Sequence, residues 1–575
     1  MIHPLLRRQT PSQRQQRTSA GVRSSFPLSV VIGLCLTAGQ QSAFAQTAIE
    51  NALRAQERAV REAQQRQQPA ADVFIKDEAP SGEVPSTQAD EKCFGSMRIE
   101  LVGHTANMGP EPQDIVQAYQ ATCLSAPRVN TLLGELNRWY QRAGWITTRV
   151  YVSEQKLASG DLQLRVVPGR IEQYQINQSE TDARIQSAFP SHDGLLNLRD
   201  LEQGLENINR LPSQQGKFKL YPGKETGSSQ VMVNVDDKPR VRLSEMVDNS
   251  GTAALGKWKS TTEIAVDNLS QNNDQLAIGY IRNLDHGSLD ALFQGGTLNY
   301  LIPFGYHLFS ASASLMDSRF TLPGINQSYE LKTRSAKLGL GYEYLFHRDQ
   351  QSKQSLIAGL DITRQQTHVV DIEVESQTRR LSVAYLGAKG KHYQGNNVYE
   401  WLFRLEQGLS VFNAQETIPD GSNPQYRLAK LRLNGSWPVQ DGKAIVRSAF
   451  QMQIAPSNIP TLAQMYVGGR YDVRGFKDNT LYAPSAWHMR NEYETESKRY
   501  GDVAVNFYAG LDAGRVQKTS ARQLSQQHLI GAALGVRTDI HGFKLDLAYT
   551  RALSRPDEFA SEAKGHWFAL LSKTF

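Results

Sequence analysis

The segment VGGRYDVRGF, at positions 467–476, has the residue types and spacing most suggestive of a functional site. Its three glycines allow backbone conformations and close approaches that other residues cannot adopt, and its arginines supply fixed positive charge. A phosphate cradle, a tight turn and a loop docked inside the protein would each use some of these residues. The segment alone leaves these three alternatives open, so the surrounding elements must decide between them.

No motif of a familiar catalytic chemistry accompanies this segment. The sequence lacks the nucleotide-binding pattern GxxxxGK[ST], the zinc-protease pattern HExxH and the hydrolase pattern GxSxG. Its 12 histidines show no metal-ligand spacing, and GLGYEY at 339–344 lacks the third glycine of a dinucleotide-binding loop. We therefore expect no catalytic residues, no metal and no cofactor.

The first 45 residues have the pattern of a secretory signal peptide. Five arginines precede the apolar run from Phe26 to Ala38, and small residues follow, which predicts cleavage after Ala45. A buried helix is the alternative, since the run is too short to span a bilayer. Cleavage lowers 63 basic residues to 58 against 57 acidic ones, so the net charge falls from +6 to +1. The basic excess thus gives no reason to propose nucleic acid as a partner.

The cysteines agree with export. Of the 3 in the chain, Cys35 leaves with the signal peptide, and Cys93 and Cys123 remain. Two cysteines in an exported chain favour a disulfide between them, with two unpaired thiols as the alternative.

Two segments of unusual composition follow the cleavage site. Residues 46–68 contain no glycine or proline and are rich in Ala, Glu, Gln and Arg, which predicts a polar helix. Such a helix is either solvated or enclosed in a water-filled lumen. Residues 69–91 contain Pro69, Pro80 and Pro85 among acidic residues and are predicted to be a disordered linker.

Residues 92–168 and 169–240 predict two tandem copies of one small α+β module. Each copy has the order β-α-α-β-β. In the second copy, five apolar residues fall at helical spacing before Pro212, which ends the helix. They are Leu198, Leu201, Leu205, Ile208 and Leu211. The first copy has predicted strands at 97–102, 148–152 and 162–167 and predicted helices at 113–122 and 129–142.

Residues 241–575 lose the helical period and alternate apolar with polar residues, as at 429–437 and 444–454. A soluble sandwich alternates too, but segments of about 9 to 11 residues have the length that crosses a bilayer. Polar stretches at 262–275 and 409–425 are predicted to be long outer loops. This region would hold roughly 16 strands, the last ending at Phe575, so we predict a transmembrane β-barrel.

The complete order resembles the two-partner secretion transporters, or TpsB proteins, which include transporters of haemolysins, filamentous haemagglutinin and contact-dependent inhibition toxins. Three stretches carry the resemblance: LNLRDLEQGLENINRLPS at 196–213, VRGF at 473–476 and FYAGLDAG at 507–514. The first is similar to the family's second POTRA helix. The second matches the inward-folded loop of a superfamily that also includes barrel-assembly insertases, and the third resembles the strand beneath that loop.

The resemblance implies roles for these residues. Val473, Arg474, Gly475 and Phe476 would form a loop inside the lumen, and Arg474 would pair with Asp512. Gly510 and Gly514 would belong to the strand that receives the loop. The leucine-rich POTRA helix at 198–211 would bind substrate, residues 46–68 would plug the lumen, and the terminal Phe575 would serve membrane insertion.

The implied function is export of a large unfolded exoprotein, captured in the periplasm through its N-terminal secretion domain and passed through the barrel. The implied location is the outer membrane of a Gram-negative bacterium, with POTRA domains in the periplasm. The implied partners are the exoprotein, outer-membrane lipid and, during biogenesis, the barrel-assembly machinery, and we expect a monomer. A barrel-assembly insertase, a helix-gated pore for small solutes and a lipid-modifying enzyme are the alternatives, and for the enzyme no catalytic constellation can be assembled.

Overall fold

The computed structural model describes residues 72–74, 95–120, 122–155, 160–190, 194–323, 327–518 and 523–575. The predicted signal peptide, the predicted helix at 46–68 and Cys93 lie outside the described residues, as does the predicted linker apart from 72–74. Within the described residues no helix has the length and apolar composition needed to cross a membrane.

The first module packs two helices on a three-stranded sheet with the order β1-β3-β2. Its core includes Leu132, Leu136 and Tyr140, which recur at helical spacing and are fully buried. The second helix begins at Ala126, three residues before the predicted start, because Pro127 fits a first turn where its missing N–H costs nothing. The elements are β1 (Arg98–Val102), α1 (Gln113–Gln120), α2 (Ala126–Arg142), β2 (Arg149–Val152) and β3 (Asp161–Val167).

The second module repeats this arrangement, with the strand order β4-β6-β5. Its longer helix is capped by Asn197, whose side chain accepts a hydrogen bond from the Arg199 N–H. The elements are β4 (Arg170–Ile176), α3 (Arg184–Ala188), α4 (Leu198–Asn209), β5 (Gln214–Pro222) and β6 (Ser228–Asp237). The predicted tandem α+β modules are confirmed.

The following strands form one closed antiparallel barrel. The last strand pairs with the first, from Leu570 opposite Asp248 to Thr574 opposite Ser244. The barrel sheet contains β7 (Val241–Asp248), β8 (Lys259–Asp267), β9 (Gln275–Asn283), β10 (Leu292–Phe304), β11 (His307–Pro323), β12 (Ser328–Arg348), β13 (Ser352–Val369), β14 (Ile372–Glu373), β15 (Arg379–Gln394), β16 (Asn397–Leu409), β17 (Arg427–Val439), β18 (Ala444–Ile454), β21 (Ala486–Thr495), β22 (Lys498–Tyr500), β23 (Val503–Val516), β24 (His528–Ile540), β25 (Phe543–Ser554) and β26 (His566–Thr574). A separate hairpin consists of β19 (Met465–Val467) and β20 (Leu481–Ala483).

Without the short β14 and β22, 16 of these 18 described strands remain as the barrel wall, which confirms the predicted fold class. The predicted strand length of 9 to 11 residues holds for β8, β9, β18, β21 and β26. It is too short for others, such as β12, which runs for 21 residues. The predicted outer loop at 262–275 is also wrong. Residues as far as Asp267 belong to β8. The connection at 268–274 faces the second module, where the Asn273 side chain donates to the Arg184 carbonyl at 2.9 Å. Polar residues on the inner face of β8 gave it the composition of a loop.

The outer wall carries large apolar side chains that remain exposed. Leu340, Leu386 and Leu534 are each at least half exposed, although they lie in the middle of paired strands. Leu340 lies opposite Ala311 on one neighbouring strand and Leu360 on the other. An outward apolar band around a polar interior is the surface that a barrel presents to lipid.

Helix α4 is buried on both sides, which contradicts its predicted role in binding a substrate. All five predicted residues are at most 5% exposed. Leu201, Leu205 and Ile208 belong to the module core with Val231 and Val233. Leu198 is buried at the start of the helix, and Leu211 is buried just beyond its end at Asn209. Its polar side meets the barrel, where Arg348 donates to Gln203 at 2.8 Å and to Glu206 at 2.9 Å. Helical spacing identifies a packing face, and here that face is the core. Leu198, Leu201, Leu205, Ile208 and Leu211 are therefore structural.

Candidate functional site

The candidate site is the connection between β18 and β21, residues 455–485, which starts at the barrel end opposite the modules. Within this connection β19 and β20 pair as a hairpin. The residues between them, 468–480, form the tip, which folds back into the lumen. A backbone hydrogen bond of 3.1 Å from Gly469 to Val473 closes the tip. Gly468 and Gly469 have φ angles of 113° and 137°, which only glycine adopts without strain.

A small apolar core holds the tip in place. Val473 and Phe476 are almost fully buried and pack with Val516, Leu529 and Phe559 of the surrounding wall and loops. Burying each such side chain contributes about 1.5–3 kcal/mol. The apolar members of VRGF therefore fix the depth of the tip and leave the arginine between them to face the wall.

Arg474 binds Asp512 through both sides of its guanidinium. Nε donates to Oδ2 at 2.6 Å and Nη2 donates to Oδ1 at 2.8 Å, while the Arg474 backbone N–H donates to Oδ2 at 3.0 Å. Asp512 has no exposed surface and Arg474 is 3% exposed. This bidentate, charge-assisted geometry is the strongest that an arginine and a carboxylate can form.

A second acid, Glu492 on β21, completes the site and was not predicted. Its Oε2 accepts from Arg474 Nη1 at 2.6 Å, and Arg490 and Arg537 contact the same carboxylate at 3.2 and 2.8 Å. Glu492 lies opposite Gly510 in the β21–β23 register, next to the pair formed by Arg490 and Asp512. The sequence signal that could have identified Glu492 is its inward-facing position in the alternation of β21. Every lumen-facing acid shares that signal, so it does not single out Glu492.

Glycines on the neighbouring strands make room for the loop. A Cβ atom at Gly510 would lie 1.9 Å from Arg474 Nη2, and one at Gly514 would lie 2.4 Å from Val467 Cγ1. Gly531 on β24 was not predicted, yet a Cβ there would lie 1.6 Å from the Arg474 carbonyl oxygen. Gly510, Asp512 and Gly514 alternate along one strand, so all three face the lumen beneath the tip.

Gly475 is a further point of close approach. Its φ is 98°, and a Cβ would lie 2.4 Å from the backbone carbon of Arg551 on β25. Just beyond it, the buried carboxylate of Glu562 accepts hydrogen bonds from the backbone N–H groups of Lys477, Asp478 and Asn479 at 2.7–3.1 Å. The loop between β25 and β26 therefore holds the return arm of the lumen loop.

The other predicted site residues lie elsewhere. Cys123 is disulfide-bonded, and its predicted partner Cys93 lies outside the described residues. The Phe575 backbone N–H donates to the Leu243 carbonyl at 2.8 Å beside the closing seam, and its side chain is 64% exposed. Across the part of the chain that the structure describes, no cluster of three or more His, Cys, Asp or Glu residues could hold a metal ion.

Comparison with known proteins agrees with this geometry. The profile of the haemolysin secretion/activation protein family ShlB/FhaC/HecB matches residues 227–538, over half of the chain. This chain belongs to that family. A ShlB-type POTRA profile matches residues 94–169 and a second POTRA profile matches residues 170–222, so the two modules are POTRA domains.

Curated relatives are similar along most of their length. The outer membrane transporter CdiB-2 of Burkholderia pseudomallei is 27% identical over 91% of this chain and 93% of its own. The hemolysin transporter protein ShlB of Serratia marcescens is 26% identical over 75% of this chain and 77% of its own. Family membership places the barrel in the outer membrane and the POTRA domains in the periplasm.

Among solved structures, CdiB from Escherichia coli superposes with a TM-score of 0.80 at 23% identity, covering 92% of this chain and 98% of that one. CdiB from Acinetobacter baumannii superposes with a TM-score of 0.78 at 22% identity, covering 92% and 99%. These structures share the fold of POTRA domains and a barrel.

Proposed function

We propose that this chain captures an unfolded exoprotein in the periplasm through its POTRA domains and passes it through the barrel to the cell surface. The observation that carries the proposal is the combination of two POTRA domains with a barrel whose lumen holds the Arg474 loop. The names of the curated relatives describe the same class of activity, outer-membrane transport. In this function the chain needs no catalytic residue, metal or cofactor.

Strand edges of the POTRA domains are the surfaces best suited to capture. Among the described residues, β2 and β5 are terminal strands of their sheets, each paired on one side. Tyr151 and Val152 on β2 are 54% and 43% exposed, and Tyr221 on β5 is 43% exposed. An extended chain can add to such an edge through backbone hydrogen bonds and place its side chains beside the exposed residues. This role replaces the one predicted for α4.

The lumen loop has a gating role in this proposal. The tip, with Val473, Arg474, Gly475 and Phe476, fills space that a passing chain needs. Its charged contacts with Asp512 and Glu492 hold the tip against the wall between transport events. The partner is a large TpsA-type exoprotein recognised through its N-terminal secretion domain. A monomer is sufficient for this function, with lipid around it and the barrel-assembly machinery acting during its insertion.

An export assay tests the proposal. Where a gene for a TpsA-type exoprotein adjoins the gene of this chain, cells that express that exoprotein would be compared with intact transporter, with Arg474→Ala and without the transporter. Arg334→Ala is the matched control, because Arg334 pairs with Asp317 at 2.8 Å on the exposed outer wall, away from the loop. We expect the exoprotein in the medium with intact and control proteins, and its loss in the other two strains. Export that persists without the transporter would contradict the assignment.

A further inference from the structure

Three described residues, Asp72, Val73 and Phe74, lie in the periplasmic mouth of the barrel. The sequence predicted them as part of a disordered linker, but they contact strands β12, β13 and β15 where these reach the POTRA side. Leu356 of β13 and Leu386 of β15 are exposed on the outer face. Because strand residues alternate between the two faces, the residues of these strands that contact 72–74 face the lumen. The contacts therefore place residues 72–74 at the rim of the opening through which a chain must enter from the POTRA domains.

Asp72 is held by a cradle of three lumen-facing groups. Its carboxylate contacts Lys353 and the Tyr393 hydroxyl, and Lys391 Nζ lies 2.6 Å away. Only 10% of the Asp72 side chain is exposed. Lys353 also binds Glu206 of α4 at 2.8 Å, so the cradle joins residue 72 to the docked POTRA domain as well as to the barrel.

Val73 and Phe74 add a second set of contacts beside the carboxylate. The Phe74 ring packs edge-on against Tyr393 with centroids 4.8 Å apart, and the Arg348 guanidinium lies 5.5 Å from its centre. Arg348 also donates to the Val73 carbonyl. Val73 packs against the apolar core of the second POTRA domain. Three consecutive residues thus bridge the POTRA domain and the barrel.

The small size of this contact suggests that it is reversible. It consists of one ion cluster, one aromatic ring and one aliphatic side chain, whereas α4 is docked along its whole length. An extended polypeptide that enters the mouth meets the same lysines and the same aromatic ring. Acidic and aromatic side chains of that polypeptide can make the contacts that Asp72 and Phe74 make.

We propose that Asp72–Phe74 is a releasable latch that blocks the periplasmic mouth of the barrel until an extended segment with acidic and aromatic side chains displaces it. The displacement step rests on the proposed transport function. The closed state of the latch does not, because it is a contact within this chain. Opening of the latch can therefore be measured without any exoprotein.

Single-channel conductance of the full mature chain in planar lipid bilayers tests the latch. Asp72→Asn and Phe74→Ala should each raise the fraction of time spent in the high-conductance state at least about fivefold, since each removes part of the contact. Asp72→Glu should stay close to the intact protein. Glu343→Gln is the matched control, because it removes one acid of the lumen that pairs with Lys389 at 2.7 Å and is separate from the described contacts of residues 72–74.

The double variant Lys353→Met/Lys391→Met removes the two barrel charges that contact Asp72 and should reproduce the effect of Asp72→Asn. Adding Asp72→Asn to it should give little further opening. Unchanged conductance in the Asp72 and Phe74 variants would overturn the proposal, and so would equal opening in Glu343→Gln. Each barrel is first shown to be folded by its heat-dependent shift in gel mobility. An exoprotein that fails to be exported would contradict the transport function and leave these conductance results standing.

Discussion

At the level of single residues, the lumen loop is held by an ion pair between Arg474 of the loop and the buried carboxylate of Asp512 on the barrel wall. Asp512 is fully buried, and its contacts include the Arg474 backbone, the Arg474 guanidinium and the Asn491 N–H. Removing the guanidinium leaves this carboxylate in a buried site without its principal counter-charge. The pair therefore stabilises the docked loop through the penalty of breaking it more than through the attraction itself.

Asp512→Asn and Arg474→Ala should each weaken loop docking by about 3–5 kcal/mol. Arg474→Lys should recover only part of this loss, because an ammonium group cannot bind both carboxylate oxygens in the plane of the guanidinium. The measurement is the rate at which an impermeant maleimide labels a Tyr471→Cys reporter in each variant, since Tyr471 lies in the tip between Gly469 and Val473. If Asp512→Asn and Arg474→Ala combined in one chain weaken docking by the full sum of their separate effects, the two residues do not interact directly.

Gly510→Ala should displace the Arg474 side chain without removing any charge, because the new methyl group would lie 1.9 Å from Nη2. We expect faster labelling of the same reporter and reduced export, in the direction of Arg474→Ala. Gly296→Ala is the control in the barrel wall, since its nearest neighbour would be 3.8 Å away. Equal effects of the two alanines would show that strand glycines matter for barrel folding in general.

At the level of elements, the lumen loop is held from two sides. The strand β23 supplies Asp512 from the wall, and the loop between β25 and β26 supplies Glu562 from the outer side. Burial would raise the pKa of the Glu562 carboxyl, but the hydrogen bond from His566 and those from the backbone N–H groups of Lys477 and Asn479 outweigh it and lower the pKa. The outer anchor is therefore ionised under ordinary conditions.

Because the Glu562 pKa is lowered on folding, its contribution is present above the ordinary value of 4.5 and is lost as the pH falls below it. Glu562→Gln should weaken docking at neutral pH, since an amide cannot accept as many backbone N–H bonds. The reporter at Tyr471 should label faster in this variant at pH 7. The difference from intact protein should shrink under acid conditions, and a constant difference would contradict the role of the charge.

Helix α4 shows how far a local pattern can be interpreted. Its spacing correctly predicted a helix with one apolar face. The pattern did not reveal that the barrel covers its polar face, because the barrel residues Arg348, Gly305 and Tyr306 lie 98 to 142 residues away in the chain from the helix residues they contact. Leu205→Ala should cost about 2–5 kcal/mol of stability in the second POTRA domain, measured by protection of that domain from proteolysis. Substrate capture should survive wherever the domain remains folded.

At the level of the whole molecule, alternation and turn residues predicted the barrel, since these depend on local periodicity, and the length of residues 241–575 predicted roughly 16 strands. Strand length was underestimated, because β12 continues past the apolar band with charged residues such as Lys332 and Arg334 that look like a loop. The motif residues Arg474 and Asp512 were found through family resemblance. Glu492, Glu562 and Asp72 were missed, because each is defined by a partner that only the closed barrel brings near.

The latch joins the linker, the second POTRA domain and the barrel, and its pH dependence tests these contacts together. Burial would raise the pKa of Asp72, but the charge of Lys353 and hydrogen bonds from Lys353, Lys391 and Tyr393 outweigh it and lower the pKa to about 2. Its stabilisation is therefore complete above the ordinary value of 3.8 and is lost only as the pH falls toward 2. Burial would raise the pKa of Glu206, which also faces the latch, but the charges of Lys353 and Arg348 outweigh it and lower the pKa. The fraction of open time should thus be constant between about pH 5 and pH 8 in intact protein. A steep rise within that range, absent from Asp72→Asn, would mean that Asp72 is not held by these lysines.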